Sequence, residues 1–195
     1  MARKAPPAKQ SAAKKPAEKT AKKPAKKTGK KAATHESQAP SGKLAPGGKA
    51  PNFNLPRDGG TSVSLADFAG QNLVLYFYPR ADTPGCTREA IDFSRLRGTF
   101  AKANTQILGV SADPVPAQDK FKVKHKLSIA LASDENHRMI EDYGVWQEKS
   151  LYGRKFMGIV RATFLIGPDQ RIAKVWPKVS VDGHADEVLA AAKEL

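Results

Sequence analysis

The stretch Tyr78-Pro79-Arg80-Ala81-Asp82-Thr83-Pro84-Gly85-Cys86-Thr87-Arg88-Glu89-Ala90 sets a lone thiol three residues after a threonine. A cysteine does nucleophilic chemistry as the thiolate, so the question is what would hold an anion at that sulfur. Thr83, Pro84 and Gly85 read as an N-cap, a proline at the first helical position and the opening of a helix. Unpaired backbone N–H groups and the positive end of the helix dipole favour a negative charge there, and so a partly ionised thiol. Thr83 can cap the amide of Cys86 or turn its hydroxyl toward the thiolate and a bound substrate. Such a site suits attack by sulfur on a small electrophile. An inert cysteine filling the inner face of the helix fits the same position, because free cysteine is among the most buried residue types.

The elements that must position this thiol are legible around it. Asn72–Tyr78 is a nearly continuous apolar run, as expected for a central strand covered on both faces, and Pro79 closes it. The helix that follows repeats Cys86, Ala90, Phe93, Leu96 and Phe100 on one face. The thiol therefore lies just past the carboxyl end of a central strand, where open α/β sheets form their ligand crevices. Thr105–Ser111 reads as a second buried strand, Pro116–Lys126 as a basic amphipathic helix and Ser128–Leu131 as a short strand. Asp134 is expected to cap a helix running to Tyr143. Ala162–Ile166 and Arg171–Trp176 form a hairpin through Gly167-Pro168-Asp169-Gln170, and Val181–Leu195 a last helix capped by Asp182. Phe53–Leu55 and Ser62–Leu65, around Asp58-Gly59-Gly60, give another hairpin. This order predicts an α/β fold of thioredoxin-like type, with a mixed central sheet flanked by helices on both faces.

Of the 195 residues, the first 50 hold fourteen Lys or Arg against Glu18 and Glu36, so that segment carries a net +12 of the chain's +14. All fourteen aromatic residues lie at or beyond Phe53. Residues 1–48 are thus expected to be a disordered basic tail, too poor in apolar surface to offset the entropy of ordering, ahead of a domain over 49–195. The paired lysines Lys14-Lys15, Lys22-Lys23, Lys26-Lys27 and Lys30-Lys31 resemble linker-histone and nucleoid-protein tails, and could neutralise phosphates without reading bases. A solubilising extension is the plainer reading. No apolar run approaches the ~18 residues needed to span a bilayer, and no secretory signal or transit peptide is evident. The single cysteine excludes an intrachain disulfide and points to a reducing, cytoplasmic setting, with nucleoid or nuclear association a further expectation from the tail.

Other patterns carry less. His35, His125, His137 and His184 lack metal-ligand spacing, so neither a metal site nor a cofactor is predicted. A Cys/His hydrolase built from Cys86 with His125 or His137 has no local signature behind it. Gly47-Gly48 and Asp58-Gly59-Gly60 are not phosphate loops. Trp146 and Trp176 are read as packing, and Lys120, Lys122, Lys124 and Lys126 as a solvated face.

Pro79-x-x-x-Thr83-x-x-Cys86 resembles the active-site signature of the peroxiredoxins. The longer Thr83-Pro84-Gly85-Cys86-Thr87-x-Glu89-Ala90 is similar to that of the bacterioferritin comigratory protein (PrxQ) subfamily, as are Tyr143-Gly144-Val145-Trp146 and Met157-Gly158-Ile159-Val160-Arg161-Ala162-Thr163-Phe164-Leu165-Ile166. With Ala50-Pro51-Asn52-Phe53, these matches sample nearly all of residues 49–195; the tail matches nothing in the family. The resemblance implies a thiol peroxidase acting on hydrogen peroxide and alkyl hydroperoxides. Cys86 would be the peroxidatic nucleophile passing through a sulfenic acid, and Arg161 would stabilise thiolate and developing oxyanion. Thr83 would hydrogen-bond the peroxide and Pro79 shield the pocket. Glu89 would orient a neighbouring arginine; a solvent-facing helix carboxylate is the other reading.

Many subfamily members carry a second cysteine five residues after the first, where this chain has Ile91. The cycle would therefore need an external thiol such as thioredoxin, glutaredoxin or glutathione, and Cys86 would be more open to overoxidation. Members are often monomeric, and a monomer without membrane attachment is expected. The rival reading is a polyanion- or DNA-associated protein in which the tail acts and the thioredoxin-like domain is a scaffold.

Overall fold

The computed structural model describes residues 44–151 and 153–195; residues 1–43, which hold most of the expected tail, lie outside the described residues. Its centre is strand β3 (Asn72–Phe77), buried at every position. β3 pairs in parallel with β4 (Thr105–Ser111), and β4 in parallel with β5 (Ala130–Ser133). On its other edge β3 pairs antiparallel with β8 (Ala162–Ile166), and β8 with β9 (Ile172–Trp176), giving the mixed sheet β5-β4-β3-β8-β9. The right order for such a sheet follows from its connections: β3 reaches β4 through helix α1 (Pro84–Lys102), and β4 reaches β5 through α2 (Val115–Lys124).

Period-two alternation along β3 divides the core between two faces. Leu73, Leu75 and Phe77 join Phe53, Val63, Met139, Ile140 and Tyr143 on one side. Val74, Tyr76 and Tyr78 join Cys86, Ala90, Phe93 and Phe100 of α1, Phe121 of α2, and Val188 and Leu189 of α4 (His184–Ala192) on the other. The first face is covered by the hairpin of β1 (Asn54–Pro56) and β2 (Ser62–Ser64) and by α3 (Arg138–Asp142). This is the thioredoxin-like arrangement expected, with helices on both faces.

Several details differ from the expectation. A hairpin of β6 (Trp146–Leu151) and β7 (Arg154–Ile159) had not been foreseen. α3 begins at Arg138 after a left-handed His137, φ 59°, although the Asp134 carboxylate still accepts from the Ile140 amide at 2.8 Å. α4 begins after Gly183, φ 74°, and Asp182 caps nothing but pairs with Arg88 at 2.6 Å. β5 starts two residues later than Ser128. Lys122, expected in solvent, pairs with the buried carboxylate of Asp58. Leu44, expected within the tail, is 3 % exposed, and Gly47 donates to the Ile172 carbonyl at 2.8 Å, so packing begins ahead of Gly48.

His184 shows how the core constrains titration. Its Nε2 shares a 2.8 Å hydrogen bond with Thr163 Oγ1, and the ring meets Phe93 and Trp176 edge-on. Burial drives its pKa down to about 4, with Glu187 pulling upward and Arg161 downward. The unfolded chain takes up a proton near 6.5 that the folded chain refuses until about 4. Stability from this group is thus complete above 6.5 and lost as pH falls through that window. The melting temperature should drop on acidification from pH 6.5 to 4, and drop less in His184→Gln.

Candidate active site

Cys86 is the third residue of α1, 2 % exposed and within the α1 face of the core. The loop ahead of it is tied down twice. The Ala81 amide donates to Asp113 Oδ2 at 2.7 Å, and the Asp82 carboxylate is held by Lys124 and His125, each at 2.6 Å. Thr83 takes the N-cap position, its carbonyl accepting from the Thr87 amide at 2.8 Å. Its side chain makes no cap bond: Oγ1 donates to the Arg80 carbonyl at 3.0 Å. The expected cap on the Cys86 amide is therefore absent, because a hydroxyl this close to its own loop satisfies itself there. Pro79 is exposed.

Arg161 arrives from the opposite end of the sequence, at the junction of β7 and β8, where its carbonyl accepts from the Val179 amide at 3.0 Å. One guanidinium nitrogen lies 3.2 Å from Cys86 Sγ, and the other donates to Glu89 Oε2. Glu89 is 1 % exposed, so the solvent-facing reading of this residue falls and the arginine-orienting geometry is present. Gly85, read from the sequence as part of the helix opening and the family signature, lies beside the guanidinium: a Cβ there would stand 3.4 Å from the same nitrogen that meets sulfur.

The electrostatics follow from burial. Desolvation pushes the Glu89 carboxyl up to about 7 against the pull of Arg161, and its Oε1 has no hydrogen-bond partner. Burial alone would pull the Arg161 guanidinium down, but Glu89 and Cys86 outweigh it and raise it. Tyr76, fully buried behind the site, is pushed well up by burial and keeps an unpartnered hydroxyl. A fixed cation, bonded at once to a sulfur and to a buried carboxylate, can stabilise negative charge on sulfur and on an oxygen beside it. Lys149 was also missed. It comes in on the unforeseen hairpin, and burial followed by the field of Arg161 lowers its pKa while Cys86 raises it.

The AhpC/TSA family model matches residues 46–175. The chain belongs to the AhpC/TSA family. Peroxiredoxin Bcp of Bacillus subtilis is 44 % identical over 149 residues, 76 % of this chain and 95 % of that protein. Peroxiredoxin Bcp of Escherichia coli is 41 % identical over 151 residues, 77 % of this chain and 97 % of that protein. Among solved structures, a bacterioferritin comigratory protein of Xanthomonas campestris, studied for its alkyl peroxide reduction activity, is 44 % identical with a TM-score of 0.70. The match covers 73 % of this chain and 90 % of that one. Within AhpC/TSA the chain is therefore a peroxiredoxin of the Bcp/PrxQ type, and so a thiol-dependent peroxidase. Among the described residues no helix is long and apolar enough to cross a membrane.

Proposed function

We propose that the chain reduces hydrogen peroxide and alkyl hydroperoxides through Cys86, and that an external thiol, thioredoxin in the first place, returns the sulfur to its reduced state. The observation that carries this reading is the 3.2 Å contact of Arg161 with Cys86 Sγ at the start of α1. The Cys86 thiolate attacks one peroxide oxygen, a sulfur–oxygen bond forms as the O–O bond breaks, and the departing hydroxide or alkoxide takes a proton from water. Sulfur is oxidised by two electrons and becomes a sulfenic acid. Arg161 faces the charge as it moves from sulfur to the departing oxygen, and Glu89 holds the guanidinium in that pose. The Thr83 hydroxyl, spending its proton on the Arg80 carbonyl, can accept from the peroxide, and Pro79 shields the pocket.

The second half of the cycle has no thiol of its own, since the chain has one cysteine and Ile91 stands on the outer face of α1, 43 % exposed. A reductant thiol therefore condenses with the sulfenic acid, releasing water, and a second thiol displaces it as a disulfide. A coupled assay offering thioredoxin, glutaredoxin and glutathione in turn should sustain many turnovers with at least one. Consumption of a single equivalent of peroxide with all three would overturn the external-thiol cycle.

The +12 charge of the first 50 residues favours a second role, contact with nucleic acid that would station the peroxidase near it. Binding to duplex DNA should fall by orders of magnitude between ~50 and ~200 mM salt and persist in Cys86→Ser. Affinity that is flat with salt, or unaltered when residues 1–43 are removed, would dismiss it.

A further inference from the structure

The β6–β7 hairpin turns one of its lysines inward. Lys149 stands in β6 opposite Phe156, partly buried, while Glu148 and Ser150 on either side of it are exposed. Two features seat its side chain. The stem lies along Gly158, where a Cβ would stand 3.4 Å from Lys149 Cδ, in ordinary contact. At the end of the stem Nζ donates to the carbonyl of Ile159, the last residue of β7 and two before Arg161. The acid beside it on β6, Glu148, is occupied by Lys155 at 2.9 Å, and among the described residues no carboxylate forms an ion pair with Lys149. An ammonium drawn partly out of water next to a guanidinium is costly unless an anion faces it, and the group that favours its charge here is Cys86.

On the reading of Cys86 as the peroxide-reducing nucleophile, we infer that Lys149 is a positioning residue of this site: it pins the strand end that presents Arg161, and its charge adds a second cation to the field at the sulfur. Peroxide reduction takes negative charge from sulfur to the departing oxygen, and both ends of that path lie in the same field. Arg161 touches the sulfur and sets direction. Lys149 acts through the Ile159 carbonyl and through its charge.

The test uses the full chain with Lys149→Met and Lys149→Arg. Three quantities are measured: the second-order rate of Cys86 oxidation by hydrogen peroxide, the melting temperature, and the ratio of alkylation rates by iodoacetate and iodoacetamide. The last pair is matched in size and differs in charge, so the ratio reads the potential at the sulfur and not the packing around it. Lys149→Met should slow oxidation about tenfold and lower the ratio at least about threefold, with Lys149→Arg recovering most of both. An unchanged ratio in Lys149→Met, or a Lys149→Arg variant as slow as Lys149→Met, would overturn the assignment. The ratio remains informative even if the wild-type chain reduces no peroxide, so failure of the peroxidase reading is distinguishable from failure of this one.

Discussion

Cys86→Ser is expected to abolish peroxide consumption with every thiol reductant, down to the rate of buffer alone. An alcohol stays protonated at neutral pH and cannot replace the thiolate as a nucleophile toward an O–O bond. The loss should be total because this is the chain's one cysteine, so no neighbouring thiol can take over. Folding should survive. The site is buried, but Arg161 already lies within hydrogen-bonding reach and can donate to a serine oxygen as it does to sulfur. Peroxide consumption and dimedone labelling check this together. Wild-type chain should take one dimedone adduct after a single equivalent of oxidant, and the variant none. A Cys86→Ser chain that consumes peroxide at the wild-type rate would refute the enzyme reading.

Arg161→Met should produce the second largest effect, on rate and stability at once. Losing a preorganised cation from the transition state costs roughly 10²–10³ in rate. It also leaves Glu89 buried without its partner, a loss of about 3–5 kcal/mol where the carboxylate is charged. The pH dependence has a definite sign. Glu89 is already raised to about 7 when folded, against 4.5 as its ordinary value, and removing the guanidinium raises it further. Wild type and variant share the unfolded value, and both hold the proton in the fold below about 7, so the deficit is flat there and grows as pH rises beyond 7, where wild type releases the proton and the variant keeps it. Melting curves at pH 5 and pH 8 should show the variant much closer to wild type at the lower value. Adding Glu89→Gln should recover most of the stability at pH 8 and none of the rate, because the amide removes the buried charge without restoring the cation. Equal deficits at both pH values would contradict this account.

What could be read from the chain beforehand depended on whether burial is written into periodicity. β3 is buried on both faces and appears as an unbroken apolar run; the inner face of α1 shows as Cys86, Ala90, Phe93 and Phe100 at helical spacing. The β6–β7 hairpin has neither mark. From Arg154 to Met157 its second strand is exposed at every residue, and a strand with water on both sides has no alternation to display. Lys149 went unseen with it. Helix starts were misplaced for a different reason: α3 and α4 open after left-handed His137 and Gly183, not after the side-chain caps that Asp134 and Asp182 seemed to offer. Within the site, Cys86 and Thr83 share one turn and were readable locally. The pairing of Glu89 with an arginine 72 residues away came from family likeness alone, since no local spacing encodes it.

The sheet acts as a partition between two halves of the interior. Cys86 and the α1 face that carries it belong to one half, while Phe53, Val63, Leu65, Met139 and Ile140 fill the other. Selection can therefore retune heat tolerance at these five positions, one side chain at a time, in the half of the core that does not pack against the reactive sulfur, as long as Ile159 and Ala162, which flank Arg161 in that half, are kept. A lineage colonising warmer habitats has somewhere to accumulate change, and an engineer seeking a hardier catalyst has a place to begin.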